Sequence, residues 1–342
     1  MTIIVDIYVP GPSAGLHHDF DVLDDALKSM FKDRVVARKI TVPIEFYKSA
    51  GPDPEFEPSL GDLGEIAIFL ERALHADFLN HYRDTAIFIN PEWFYESDKV
   101  ACEAMRSTIL HKSRFFHASI QAVLPNLRHV YTGFTSIDPA VTVANRTVFS
   151  HFRGASRLRL TQELLEIWRR RPDFPLLRVQ AYGTDIAINT SMWVGAGNTE
   201  FFFGELDRSS YFMELSKGGI KLCTSQVEGF GHYLNEARAM SALTIALDAP
   251  PMNELITPET GILVPVTGCR PQRLGMVYDV DEQDLLNAIT CAIAMPLSER
   301  ERKGQAARAL YEQQAADFAD AFEAYLRPIV EDIGKERRQD SM

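Results

Sequence analysis

At 342 residues the chain is longer than one hydrophobic core usually fills, and at roughly 150 residues per domain it points to two domains. Its 46% apolar and 24% charged residues are a globular balance, which excludes disorder as the dominant state. With 35 Lys and Arg against 47 Asp and Glu, the formal charge is −12, the wrong sign for broad nucleic-acid binding.

Ile3–Tyr8 reads as a strand. Its flanks lack a basic n-region and Asp6 breaks the apolar run, so no signal peptide is expected. Asp21–Phe31 follows as a helix, with Val22, Leu23, Ala26, Leu27, Met30 and Phe31 at helical spacing. Leu63–Leu79 reads as a second amphipathic helix, and Thr85–Asn90 as a strand stopped by Pro91. Ser107–Leu110, Ser113–Leu124 and His129–Tyr131 repeat the order strand, helix, strand. Such alternation predicts parallel crossovers and an open α/β sheet.

After the linker candidate Thr135–Arg146 a second series begins. Val148–Phe152, Leu176–Gln180, Phe201–Phe203, Ile220–Cys223, Leu243–Leu247 and Ile262–Pro265 read as strands. Gln162–Arg171, Asp207–Ser216, Tyr233–Ser241, a turn at Asn253–Ile256, Asp281–Ala294 and Ser298–Leu326 read as helices. The expected division is 1–140 and 147–310, with a helix at 311–333 returning to the first domain and a frayed tail at 334–342. Cys102, Cys223, Cys269 and Cys291 show no C-x-x-C spacing, which argues against a zinc ribbon or disulfide scaffold. A reducing compartment fits that usage, and no apolar stretch approaches the ~20 residues of a membrane span. A cytoplasmic protein is the expectation.

The chemistry concentrates in Ser225–Pro265, SQVEGFGHYLNEARAMSALTIALDAPPMNELITPETGILVP. Glu228 sits in a strand-to-helix turn, and Gly229 and Gly231 flank Phe230, so backbone can approach a ligand there. The helix that follows points its N-terminal amides at the turn, a ready anion site, and carries Glu236 one turn in. Ligands of open α/β sheets bind outside the carboxyl ends of the strands, where this loop lies. A sugar needs a carboxylate for its hydroxyls and a diphosphate needs N–H donors; the turn offers both.

The run EGFGHYLNEA resembles the signature of retaining GT-B glycosyltransferases of family 4, E-G-F-G followed by E-A with seven residues between the glutamates, and Pro250–Pro265 continues the likeness. The resemblance implies two Rossmann-like domains facing across a cleft. It further implies that Glu228 meets the donor-sugar hydroxyls and Glu236 the nucleotide ribose. In the upstream segment His151–Trp168, it places Arg159 at a position commonly held by lysine, with Arg153 beside it, against the donor diphosphate. The implied catalytic set is Glu228, Arg159 and Arg153; the implied donor-binding set is Gly229, Phe230, Gly231, Glu236, Ser156 and Gly15. Asn90 and Glu92, at a strand end, and His17 and His18, beside the glycine loop Gly11–Gly15, are acceptor-side candidates. Ser241 and Leu243 stand where the family usually has Gly and Pro. The expected activity is retaining transfer of a hexose-type sugar from a UDP- or GDP-linked donor to an unidentified acceptor. Neither a metal nor a further cofactor is expected.

The same residues admit other readings. A catalytically weak nucleotide-sugar-binding regulatory subunit would share this signature. Gly11–Gly15 matches the G-x-S-x-G elbow of serine hydrolases, with Ser13 as nucleophile, but a helix starting only after Leu16–Asp19 does not suit an elbow. The triplets Asp19-Phe20-Asp21 and Asp279-Val280-Asp281 could hold Mn²⁺, yet each is expected to precede a helix, where Asp is a favoured cap. Lys112, just after strand Ser107–Leu110, could help bind an anion but is read as a surface lysine.

Overall fold

The computed structural model describes residues 2–11, 13–43, 63–74, 77–152, 154, 156–181, 197–203 and 206–339. Contacts divide the chain into two units: Met1–Ile137 with Pro271–Met276 and Gln314–Met342, and Asp138–Arg270 with Val277–Gln313.

The first unit holds β1 (Ile3–Pro10), α1 (Ala14–Phe31), β2 (Val35–Val42), β3 (Ile66–Leu70), β4 (Asp84–Phe88), α2 (Glu96–Met105), β5 (Thr108–His111), α3 (His117–Val123) and β6 (His129–Tyr131). Its six strands form one parallel sheet in the order β2-β1-β3-β4-β5-β6. The order reverses between β1 and β3. Here the expected helix Leu63–Leu79 is corrected, because Ile66–Leu70 is an inner strand with all five residues buried. An apolar run buried on both faces has no alternation, and periodicity alone does not separate it from a helix. Asp6, on β1, is fully buried and fully used: it accepts from Arg38 at 2.6 and 2.9 Å, Gly64 N at 2.8 Å and Tyr82 Oη at 2.6 Å. A buried carboxylate with this many donors is satisfied rather than stranded.

The second unit holds β7 (Phe149–Phe152), α4 (Thr161–Arg170), β8 (Leu177–Ala181), β9 (Thr199–Phe203), α5 (Arg208–Ser216), β10 (Ile220–Cys223), α6 (His232–Ala239), β11 (Leu243–Leu247), α7 (Met252–Leu255), β12 (Gly261–Val264) and α8 (Glu282–Ala294). These strands run parallel in the order β12-β11-β10-β7-β8-β9, the order of a dinucleotide-binding fold read from its far edge. The winding reverses between β7 and β10. Every strand and helix expected in this stretch is present within a few residues. A two-stranded sheet, β13 (Gly268–Gln272) with β14 (Gly275–Asp279), was not expected, and its tip groups with the first unit.

The last helix, α9 (Leu297–Gln339), contributes to both units and continues through most of the stretch expected to fray. In the second unit it approaches closely at Gly304, where a Cβ would stand 2.1 Å from the Ser241 carbonyl oxygen. Ser241 itself adopts φ +57, a conformation that suits the glycine common to the resembled family at this turn. In the first unit Phe318 and Phe322 pack on Phe134 and Phe88. Among the described residues no helix is long and apolar enough to cross a membrane.

Candidate active site

In the second unit, two loops leave the carboxyl ends of β7 and β10, the neighbouring strands at which the winding reverses. That is the position where an open α/β sheet leaves a crevice for ligand. The two loops are tied together by backbone. Thr224 Oγ1 donates to the Arg159 carbonyl at 2.8 Å, Gln226 N to the Leu158 carbonyl at 2.8 Å, and Ser225 Oγ to the same Leu158 carbonyl at 3.4 Å. Leu160, at φ +51, then turns the chain into α4.

This lacing brings Arg159 and Glu228 together. An Arg159 Nη lies 3.6 Å from a Glu228 carboxylate oxygen, an ion pair beyond hydrogen-bonding range. The Arg159 guanidinium also donates to the Phe152 carbonyl at 3.0 Å and lies 4.1 Å over the Tyr233 ring. The two side chains keep 17% and 14% of their surface exposed, so both remain reachable from solvent. Stacking and a carbonyl fix the guanidinium, while the loose ion pair leaves its charge available to an arriving anion.

Helix α6 begins at Gly231, whose φ of +96 needs glycine; a Cβ would also meet Leu234 at 2.8 Å. Gly229 and Phe230 are buried in the turn before it. Glu236, one turn into α6, is 3% exposed and accepts a 2.9 Å hydrogen bond from Tyr211 Oη on α5. Burial raises its pKa above the usual carboxylate range, against the pull of His232, Tyr211 and Arg159. Tyr211 and Tyr233 are the residues that motif reading missed here; neither belongs to a motif, and only the packing brings them to the two glutamates. Ser156 lies at the start of the Arg159 loop, where its Oγ accepts from Leu158 N at 3.2 Å. Arg153 lies outside the described residues.

The first unit carries a second polar assembly at the carboxyl ends of β3, β4 and β5. Glu71, directly after β3 at φ +67, accepts from Asn90 Nδ2 at 2.9 Å. Lys112, directly after β5, donates to Asn90 Oδ1 at 3.1 Å and to Asp19 of α1 at 2.6 Å. Lys112 is therefore buried and paired, and its reading as a surface lysine is corrected. Burial raises the Glu71 pKa, with Asn90 and Lys112 opposing. Glu71 was missed because its strand was read as helix. Asn90 thus joins this assembly. Glu92 is buried against the tip of β13–β14: its carbonyl accepts from Arg273 at 2.7 Å, and a Cβ on Gly275 would stand 2.9 Å from its own.

The expected glycine loop is shorter than Gly11–Gly15. Gly11 has φ +40, but α1 starts at Ala14, so Gly15 is an exposed residue of its first turn. His17 Nδ1 stands 3.3 Å from Lys39 Nζ, and His18 is half-buried on the same turn. The helix does begin immediately after Ser13, which corrects one objection to a nucleophile elbow. Ser13 has φ −79 and ψ 107, however, an ordinary extended conformation rather than the strained one an elbow requires. Asp19 and Asp21 lie inside α1, so their reading as caps is corrected as well; Asp19 is buried and paired with Lys112 at 2.6 Å. Asp281 does cap α8, accepting from Gln283 N at 2.7 Å, and Asp279 pairs with Arg270.

No family model and no curated protein matches this chain. Solved structures do, over nearly its whole length. Anabaena HepE in complex with UDP and glucose superposes with a TM-score of 0.63 at 14% identity, covering 95% of this chain and 100% of that one. Sucrose-phosphate synthase from Thermosynechococcus elongatus gives 0.67 at 14%, covering 99% of each. A trehalose-6-phosphate synthase studied for glycosyl transfer with retention gives 0.65 at 11%, covering 95% and 99%. At these identities the likeness shows the fold, and the fold is GT-B.

Proposed function

We propose that this chain is a retaining glycosyltransferase of the family 4 type, moving a hexose-type sugar from a nucleotide-diphosphate donor to an acceptor hydroxyl. The observation that carries the reading is the meeting of Arg159 and Glu228 at the winding reversal of the second unit, beside the α6 N-terminus. An arginine and helix amides next to a largely buried but reachable carboxylate suit a diphosphate joined to a polyhydroxyl ring. The bound UDP and glucose of HepE, and the retention studied in trehalose-6-phosphate synthase, agree with that chemistry.

In the proposed reaction Glu228 accepts hydrogen bonds from the hydroxyls of the transferred sugar and tightens on them as that sugar gains positive character. Arg159, with Arg153, and the first amides of α6 stabilise the charge developing on the leaving diphosphate. The acceptor hydroxyl attacks from the leaving-group face and gives its proton to the departing phosphate oxygen. Glu236 holds the ribose hydroxyls, oriented by Tyr211. Positive charge is thereby supplied without a metal, so EDTA is expected to leave most of the activity. The acceptor is assigned to the first unit, near Glu71, Asn90 and Lys112.

Thermal unfolding with a panel of nucleotides and nucleotide sugars tests the reading. A ligand at 100 times its Kd stabilises by about 2.7 kcal/mol, so a UDP- or GDP-sugar is expected to raise Tm by several degrees. A panel that leaves Tm unmoved contradicts it.

A further inference from the structure

Three histidines of the first unit, spaced six and twelve residues apart in sequence, converge at one corner of the sheet and belong to none of the residues assigned above. His111 ends β5, His117 opens α3 and His129 opens β6. β5 and β6 pair in parallel, with Ile109 opposite His129 and His111 opposite Tyr131. The three rings lie nearly parallel, with centroids 4.2 Å apart for His111 and His117, 5.1 Å for His111 and His129, and 6.0 Å for His117 and His129. One ring nitrogen from each lies within 4.8 Å of the others.

We propose that His111, His117 and His129 together bind a divalent transition-metal ion, Zn²⁺ by preference, with a water in the fourth position. Two features separate this from a simple stack of aromatic rings. First, His129 Nε2 stands 2.9 Å from the Leu124 carbonyl, which can only accept, so that nitrogen carries the proton. Its Nδ1 accepts a hydrogen bond from His111 Nε2–H at 2.9 Å, so His111 has to shift its proton to Nδ1 for both facing nitrogens to ligate. A ligating imidazole usually has its far nitrogen fixed by a carbonyl in this way. Second, His111 is only 2% exposed and its Nδ1 has no hydrogen-bond partner, so the polar groups of the corner are not fully satisfied by protein alone.

The dimensions suit a late divalent metal. Zn–N bonds of about 2.0–2.1 Å set the nitrogens of a tetrahedral site about 3.4 Å apart. The 2.9 Å pair has to open by about 0.5 Å, and the 4.8 Å limit has to close by about 1.4 Å. His117 and His129 are half-buried, which gives their rings room to move and the ion a way in. Three neutral imidazoles, with no thiolate or carboxylate among them, favour zinc, copper or nickel over magnesium or calcium. The ion would join the ends of β5, α3 and β6, one residue from Lys112.

The test uses untagged full-length protein, stripped with EDTA, desalted and titrated with Zn²⁺ against a chromophoric chelator. One equivalent per chain is expected, with affinity falling at least tenfold in His117→Gln and in His129→Gln. Both side chains are half-buried, and circular dichroism checks that the variants fold. Co²⁺ added to the unaltered protein is expected to give the visible bands of a tetrahedral site without a strong near-ultraviolet thiolate band. Absence of stoichiometric binding overturns the proposal. So does unchanged affinity in folded variants, or a thiolate band, which would put the metal on cysteine. None of these outcomes touches the transferase reading, which thermal shift with nucleotide sugars reports separately.

Discussion

The two glutamates of the second unit are nearly isosteric targets with different assigned tasks. If Glu228 meets the sugar being transferred, its contacts strengthen in the transition state, so Glu228→Gln is expected to lower kcat by about 10²-fold, about 2.7 kcal/mol. If Glu236 holds the ribose, its contribution is nearly uniform, and Glu236→Gln is expected to raise donor KM more than it lowers kcat. Steady-state kinetics at varied donor separate the two; equal effects on kcat would remove the distinction. Because burial raises the Glu236 pKa, its ionised, hydroxyl-accepting form is lost as pH falls through a value above the ordinary carboxylate range. Donor KM is therefore expected to climb on acidification earlier than a surface carboxylate would dictate, and that limb should vanish in Glu236→Gln. The Glu228 and Glu236 pair was readable from sequence because one turn and one helix turn define it. Lys112 and Asp19 are 93 residues apart, and their pairing is invisible until the fold brings the Lys112 side chain, after β5, within reach of α1.

Elements were readable where periodicity and punctuation agreed. Ile220–Cys223 and Leu243–Leu247 are strands at the bounds their apolar runs suggest, and Asp281 caps α8 as its position implies. Reading failed at β3, where a strand buried on both faces carries no alternation. It failed also at β13 and β14, where Gly268–Gln272 is mostly exposed and offers no apolar pattern. Helix α9 runs to Gln339, six residues into the tail expected to fray, and Val330 and Ile333 near that end are buried. Phe322, fully buried on this helix, stands with Phe318 and Tyr325 against the first unit's sheet. Phe322→Ala is expected to cost about 3–5 kcal/mol, read as a lower urea midpoint for the unit that contains it. A loss below about 1 kcal/mol would mean that the helix end contributes little to that unit.

At the scale of the molecule, alternation along the sequence was enough to foresee two parallel α/β sheets, and the structure has two of six strands each. The strand orders, which differ between the units, were not foreseeable, since they depend on which edge each crossover takes. They matter because the reversal points select the loops that can hold ligand: β7 and β10 in the second unit, β1 and β3 in the first. Arg159, Glu228 and Glu236 gather at the former, and Glu71 follows directly on β3. The proposed activity of these loops, cleavage of a nucleotide sugar with retention at the anomeric carbon, leaves its mark on the configuration of the first product. The most direct measurement is proton NMR of the first product formed from UDP-α-glucose, or its GDP counterpart, incubated with the protein and water as the only acceptor. The α-anomer of the free sugar is expected to appear first and only later to mutarotate. A β-anomer at the earliest time points contradicts retention.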